Sequence, residues 1–114
     1  MKSEFVEIPS LMPKPEILSC KRVLAIQAHY DDIDIAVGGL IAQLVKNGAE
    51  ILYVTVTDDL AGVIDLTLSK ELASSRLQSE AENAAKILGV LGIYNLNYPD
   101  AGDWSVYQAR RDLI

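Results

Sequence analysis

Val23-Leu24-Ala25-Ile26-Gln27-Ala28-His29-Tyr30-Asp31-Asp32 is the stretch that decides the fold of this chain. Its unbroken apolar run, Val23 to Ile26, reads as a strand covered on both faces, because a strand open to water on one side alternates apolar and polar residues. The run stops at the only histidine of the protein and two adjacent aspartates. Gly38-Gly39 follow, and Val37, Leu40, Ile41, Leu44 and Val45 then recur at helical spacing as far as Gly48, a residue suited to ending a helix. A strand that hands His and Asp to the start of a helix is how an open α/β sheet places chemistry at the carboxyl ends of its strands.

The neighbouring segments extend this pattern. Residues 51–57, rich in β-branched side chains, predict a second strand that runs into Asp58-Asp59. Residues 60–68 read as a loop. From Ser69 a long helix is expected, with Leu77, Ala81, Ala84, Ala85 and Leu88 on its buried face and Gly89 at its end. Residues 93–96 form a short third strand leading to Asn97-Tyr98-Pro99-Asp100, and a last helix opens near Asp103. The order β-α-β-α-β-α implies a parallel sheet with right-handed crossovers. The fold class is therefore α/β, a Rossmann-like three-layer parallel sheet with helices on both faces. All three strands would end beside an acidic residue on one edge of that sheet.

Residues 1–20, with Pro9, Pro13 and Pro15, read as an extended N-terminal arm, since proline removes backbone donors and blocks helix. Residues 21–114 form the body. The last helix stops on Leu113-Ile114 with no cap or polar tail, which reads as a truncated fold or as one that covers itself by homo-oligomer formation. At 114 residues and half hydrophobic, the chain is long enough for one core. Its net charge of −6 argues against a nucleic-acid partner. No apolar stretch approaches a membrane span of about 20 residues, and no secretory leader is visible. The single Cys20 allows no disulfide within the chain. Together these predict a cytoplasmic protein with no membrane partner.

The central stretch offers an imidazole nitrogen and two carboxylates, a donor set that Zn²⁺ accepts. One aspartate can face a metal while the other works as a general base on water. The plainer alternative is that Asp31 or Asp32 caps the following helix and meets its dipole. Asp58-Asp59 reads more as turn chemistry than as a ligand pair. Arg76 and Glu80 stand four apart on a helix, ordinarily a solvated ion pair. Gly38-Gly39 inside a helical pattern costs roughly 1–2 kcal/mol against alanine, which points to close approach of a ligand or to tight helix–sheet packing.

Ala28-His29-Tyr30-Asp31-Asp32, with Gly38-Gly39 behind it, resembles the A-H-P-D-D…G-G signature of the PIG-L/LmbE-like zinc-dependent N-deacetylases. Val54-Thr55-Val56-Thr57-Asp58 is similar to that family's second-strand ending, T-D-G. Arg76-Leu77-Gln78-Ser79-Glu80 with Ala84-Ala85-Lys86-Ile87-Leu88-Gly89-Val90 resembles its R-x-x-E…A-A-x-x-L-G-V helix, and Tyr98-Pro99-Asp100 its post-strand P-D. These motifs fall in order between residues 22 and 102 and correspond to the family's N-terminal part. The resemblance implies a hydrolase that removes the N-acetyl group from an amino sugar or sugar conjugate, with water activated at the metal attacking the amide. It implies His29 and Asp32 as metal ligands for Zn²⁺ or another divalent metal, Asp31 as general base, and Arg76 and Asp100 on the substrate side.

Three departures stand out. Tyr30 occupies the usual proline position, so the turn that aims Asp31 and Asp32 is expected to be less rigid. Asp59 stands where glycine is usual. The family's further histidine ligand, from an H-x-x-H segment, has no counterpart in a chain with one histidine. Two other readings therefore stay open. One is a non-catalytic, degenerate deacetylase half serving as a binding or assembly module. The other is a receiver-type signalling domain with Asp100 as phospho-acceptor, in which His29 has no role.

Overall fold

The structure, a computed structural model, describes residues 16–114, so most of the expected N-terminal arm lies outside the described residues. The elements run β1 (Arg22–Gln27), α1 (Asp32–Lys46), β2 (Glu50–Thr57), α2 (Lys70–Leu88), β3 (Gly92–Tyr98) and α3 (Val106–Asp112). Short 3-10 turns at Ile17–Ser19 and Leu60–Gly62 complete them. The strands form one sheet in the order β1-β2-β3, parallel throughout, with Arg22 opposite Glu50 and Leu52 opposite Gly92. This is the α/β parallel arrangement that the alternation of periods predicts.

Packing follows the two-residue alternation of the strands. Ile51, Tyr53 and Thr55 of the central strand are essentially inaccessible. They meet Ile33, Ile41 and Leu44 of α1, Ala85 of α2, and Val90, with Val23, Ala25 and Ile93 of the outer strands packed around them. Full burial of one such aliphatic or aromatic side chain is worth about 1.5–3 kcal/mol. Among the described residues α1 and α2 lie together on this face. On the other face Leu24, Ile26, Leu52 and Tyr94 are at least half exposed. That is the side a second helical layer takes in a three-layer fold. No helix of the described residues is long and apolar enough to cross a membrane.

Element ends show why the chain turns where it does. α1 starts at Asp32, before its apolar periodicity becomes visible at Val37. Val37 itself leaves helical geometry (φ −140°, ψ 22°), directly before Gly38-Gly39. A Cβ placed on either glycine would meet nothing within 4 Å, so the expectation of tight helix–sheet packing there is not met among the described residues; the pair instead follows a kink. Ser69 caps α2 by accepting the Leu72 N–H. Gly89 ends it in the left-handed region (φ 83°), where a Cβ would lie 2.6 Å from Val45 Cγ1. β3 extends to Tyr98, past the expected residue 96, carried by the pairing of Tyr98 with Thr57 across an irregularity in the register.

Candidate metal centre

The parallel sheet brings the carboxyl ends of its strands to one edge, and their polar residues converge there. From the turn after β1 come His29, Asp31 and Asp32. From the end of β2 comes Asp59, and from the turn after β3 comes Asp100. One ligand atom each from His29, Asp59 and Asp100 lies within 4.8 Å of the others, a group that could hold a metal ion. Asp100 Oδ1 is 3.0 Å from His29 Nε2. On the other side of the ring, His29 Nδ1 is 3.6 Å from Asp32 Oδ2, which also accepts the His29 backbone N–H at 2.9 Å.

These distances bear on the chemistry of the donor set. Two ligands at about 2.0–2.2 Å from one tetrahedral Zn²⁺ are roughly 3.3–3.6 Å apart. The His29 Nδ1–Asp32 Oδ2 separation fits that spacing. Asp100 on the opposite ring nitrogen supplies the carboxylate that fixes a metal-ligating histidine's tautomer and orientation. The charge balance points the same way: Asp32, Asp59 and Asp100 surround one imidazole, and a cation or bound protons relieve the repulsion among them. Two proton affinities respond to the crowding. The hydrogen bond to Asp100, helped by the charges of Asp100, Asp59 and Asp32, raises the His29 pKa above its ordinary value against the opposing effect of burial. Burial, with Asp31 and Asp100 nearby, raises the Asp59 pKa, while the Tyr30 N–H and His29 pull it down.

The turn that aims these groups is held from inside the sheet. Gln27, the last residue of β1, is only 4% exposed. Its amide Nε2 donates to the Tyr30 carbonyl (3.2 Å) and to Thr55 Oγ1 (3.0 Å), and its Oε1 accepts the Ile33 N–H (3.1 Å). Thr57 adds two bonds to the Ala28 carbonyl, one from its hydroxyl at 2.8 Å and one from its N–H at 3.1 Å. Tyr30 is buried, and its phenol accepts from Asn95 Nδ2 at 2.6 Å. Sequence reasoning did not single out Gln27 or Asn95. The available signal for Gln27 was a polar residue at the end of an otherwise apolar strand.

The expected site residues divide into two groups. His29, Asp32 and Asp100 meet. Asp31 stands exposed at the N-cap position of α1, with no side-chain capping bond, so the helix-cap alternative holds by position only. Asp58 does behave as turn chemistry: its Oδ1 accepts the N–H of Leu60 and that of Asp100. Asp59, grouped with it in the sequence, faces His29 and Asp100 instead. Arg76 is exposed on α2 outside this group; the carboxyl of Asp65, in the loop before α2, is held below its ordinary value by hydrogen bonds from Thr67, with a smaller contribution from the Arg76 charge. Asp100, expected on the substrate side, is bound to the histidine ring.

Comparison with known proteins yields consistent matches. The sequence pattern described as PIG-L, GlcNAc-PI de-N-acetylase, matches residues 24–113. A diacetylchitobiose deacetylase of Thermococcus kodakarensis is 36% identical over 95 residues, covering 82% of this chain and 35% of that protein. An uncharacterized deacetylase of Escherichia coli is 35% identical over 80 residues, covering 70% of this chain and 39% of that protein. The crystal structure of the N,N'-diacetylchitobiose deacetylase from Pyrococcus horikoshii, complexed with its inhibitor MPG, superposes with a TM-score of 0.82 at 36% identity, over 94% of this chain and 40% of that one. The chain thus spans little more than a third of the length of the curated relatives it matches.

Proposed function

This chain belongs to the PIG-L family, and from that premise we propose that it carries the metal-binding and general-base half of an amino-sugar N-deacetylase. The substrate class is a small N-acetylated sugar, as in the diacetylchitobiose deacetylases it resembles. The observation that carries the reading is the convergence of His29 and Asp32 at ligand spacing with Asp100 behind the ring.

His29 Nδ1 and Asp32 would hold the cation, and Asp100, bonded to Nε2, keeps the imidazole oriented with Nδ1 toward Asp32. A divalent cation of zinc's kind, when bound, supplies Lewis-acid polarisation of the amide carbonyl. Asp31, exposed beside the site and free of a capping bond, takes a proton from the attacking water and returns it to the departing amine. Arg76 contributes a cationic contact for substrate from α2.

The test is the zinc affinity of the chain, measured by competition with a chromophoric chelator, alongside Asp32→Ala and Asp31→Asn. Two protein ligands stand where catalytic zinc takes three, so binding by this chain is expected to be weak, abolished in Asp32→Ala and unchanged in Asp31→Asn, with little acetate released from N,N'-diacetylchitobiose. Tight binding that survives Asp32→Ala would remove the assignment.

A further inference from the structure

We propose that Asp59 is a positioning residue that locks the His29–Asp32 turn through the backbone N–H of Tyr30, so that Tyr30 and Asp59 work as a matched pair. The inference rests on the metal-centre reading above and deepens it. Two positions depart from the signature this chain resembles, Tyr30 for proline and Asp59 for glycine, and the structure brings them together. A proline at residue 30 would fix φ and carry no N–H. Tyrosine does neither: it leaves the turn softer and introduces a donor that needs a partner once the residue is buried. Asp59 Oδ2 accepts that N–H at 3.4 Å, and among the described residues it is the only partner the donor has.

Asp59 reaches this position through an uncommon backbone. Its φ of 57° and ψ of 21° place it in the left-handed region. Glycine enters that region freely, and aspartate is among the few side chains that tolerate it. The Asp59 N–H donates to Thr57 Oγ1 at 3.3 Å, which steadies the bend. A glycine here would keep the backbone path and lose only the carboxylate. The pair therefore replaces covalent rigidity with a bond between the turn after β1 and the end of β2. His29 and Asp32 lie on either side of the restrained residue, so their separation inherits the restraint.

A double-mutant cycle tests this on the full chain: wild type, Asp59→Gly, Tyr30→Pro and the double variant, with Asp59→Asn as the conservative substitution. The first readout needs no metal. Exchange of the Tyr30 amide proton, followed by NMR, accelerates roughly tenfold in Asp59→Gly, and stays near wild type in Asp59→Asn, whose side-chain oxygen still accepts. The second readout is zinc affinity by chelator competition. Asp59→Gly weakens it roughly tenfold when Tyr30 is retained and by less than twofold when it is combined with Tyr30→Pro. Equal losses in both backgrounds would overturn the pairing. So would an Asp59→Asn loss as large as that of Asp59→Gly, since charge rather than hydrogen bonding would then be the cause. A chain that binds no zinc, yet shows the expected exchange pattern, would refute the metal-centre reading and leave the pair intact.

Discussion

Replacing Gln27 with leucine isolates the amide that ties the site to the sheet. Leucine fills a similar volume but offers no polar atom. Three groups lose their partner together: the Tyr30 carbonyl, the Ile33 N–H and the Thr55 hydroxyl. An orphaned buried group costs about 1–3 kcal/mol. Added apolar burial offsets about 1 kcal/mol. The net cost expected is at least about 2 kcal/mol, a sizeable share of the roughly 5–15 kcal/mol that holds a domain together. The variant should therefore melt at least about 8 °C lower. Thr55→Val, which removes one of the three partners, should cost about 1 kcal/mol, and its combination with Gln27→Leu should cost less than the sum. Thermal and urea melts followed by circular dichroism measure all three. Superimposable melts for Gln27→Leu and wild type would refute the claim that this amide fastens the turn.

Two further outcomes follow from groups already described. The Asp100 hydrogen bond raises the His29 pKa above 6.5, so the protonated pair stabilises the metal-free fold fully below the unfolded-state value and ceases to do so as pH rises through the raised folded value. Asp100→Asn should return the His29 titration, followed by NMR, toward its ordinary value and flatten that part of the pH–stability curve; an unmoved titration would contradict the assignment. Gly89→Ala places a Cβ 2.6 Å from Val45 Cγ1 at a φ of 83°. It should cost about 2 kcal/mol in denaturant melts, from left-handed strain and from displacement of a half-buried valine; a neutral result would show that Val45 turns aside freely.

The strands and their parallel order were legible because apolar runs ending in acidic turns carry both element type and direction. That order puts the turns carrying His29, Asp32 and Asp100 on one edge of the sheet; that Asp100 bonds the imidazole ring was not legible, since residue 100 was expected on the substrate side. The role of Asp59 was not legible. Asp58-Asp59 looks like one turn, and only a left-handed backbone at Asp59 sends the two carboxylates to different tasks. The Gln27 clamp was hidden for a related reason: a glutamine closing an apolar run reads as the edge of the core, while its three bonds lie in tertiary space. The start of α1 was obscured because its first turn carries Asp32 and Asp34, and these polar residues mask the helical period. Its kink at Val37 likewise has no signature beyond the glycines that follow.

The bond between His29 and Asp100 closes 71 residues, the longest span of any side-chain hydrogen bond among the described residues. Closing long spans costs chain entropy that is recovered only when the intervening units have formed. The first β-α-β unit, joining β1 to β2, can assemble while β3 is still unpaired, and at that stage His29 has Asp32 beside it but not Asp100. Docking of β3 thus completes the imidazole's surroundings, and fraying of this outer strand exposes the ring's second nitrogen to solvent. The His29–Asp100 bond and the adhesion of β3 are in this way linked equilibria: whatever tightens one holds the other in place.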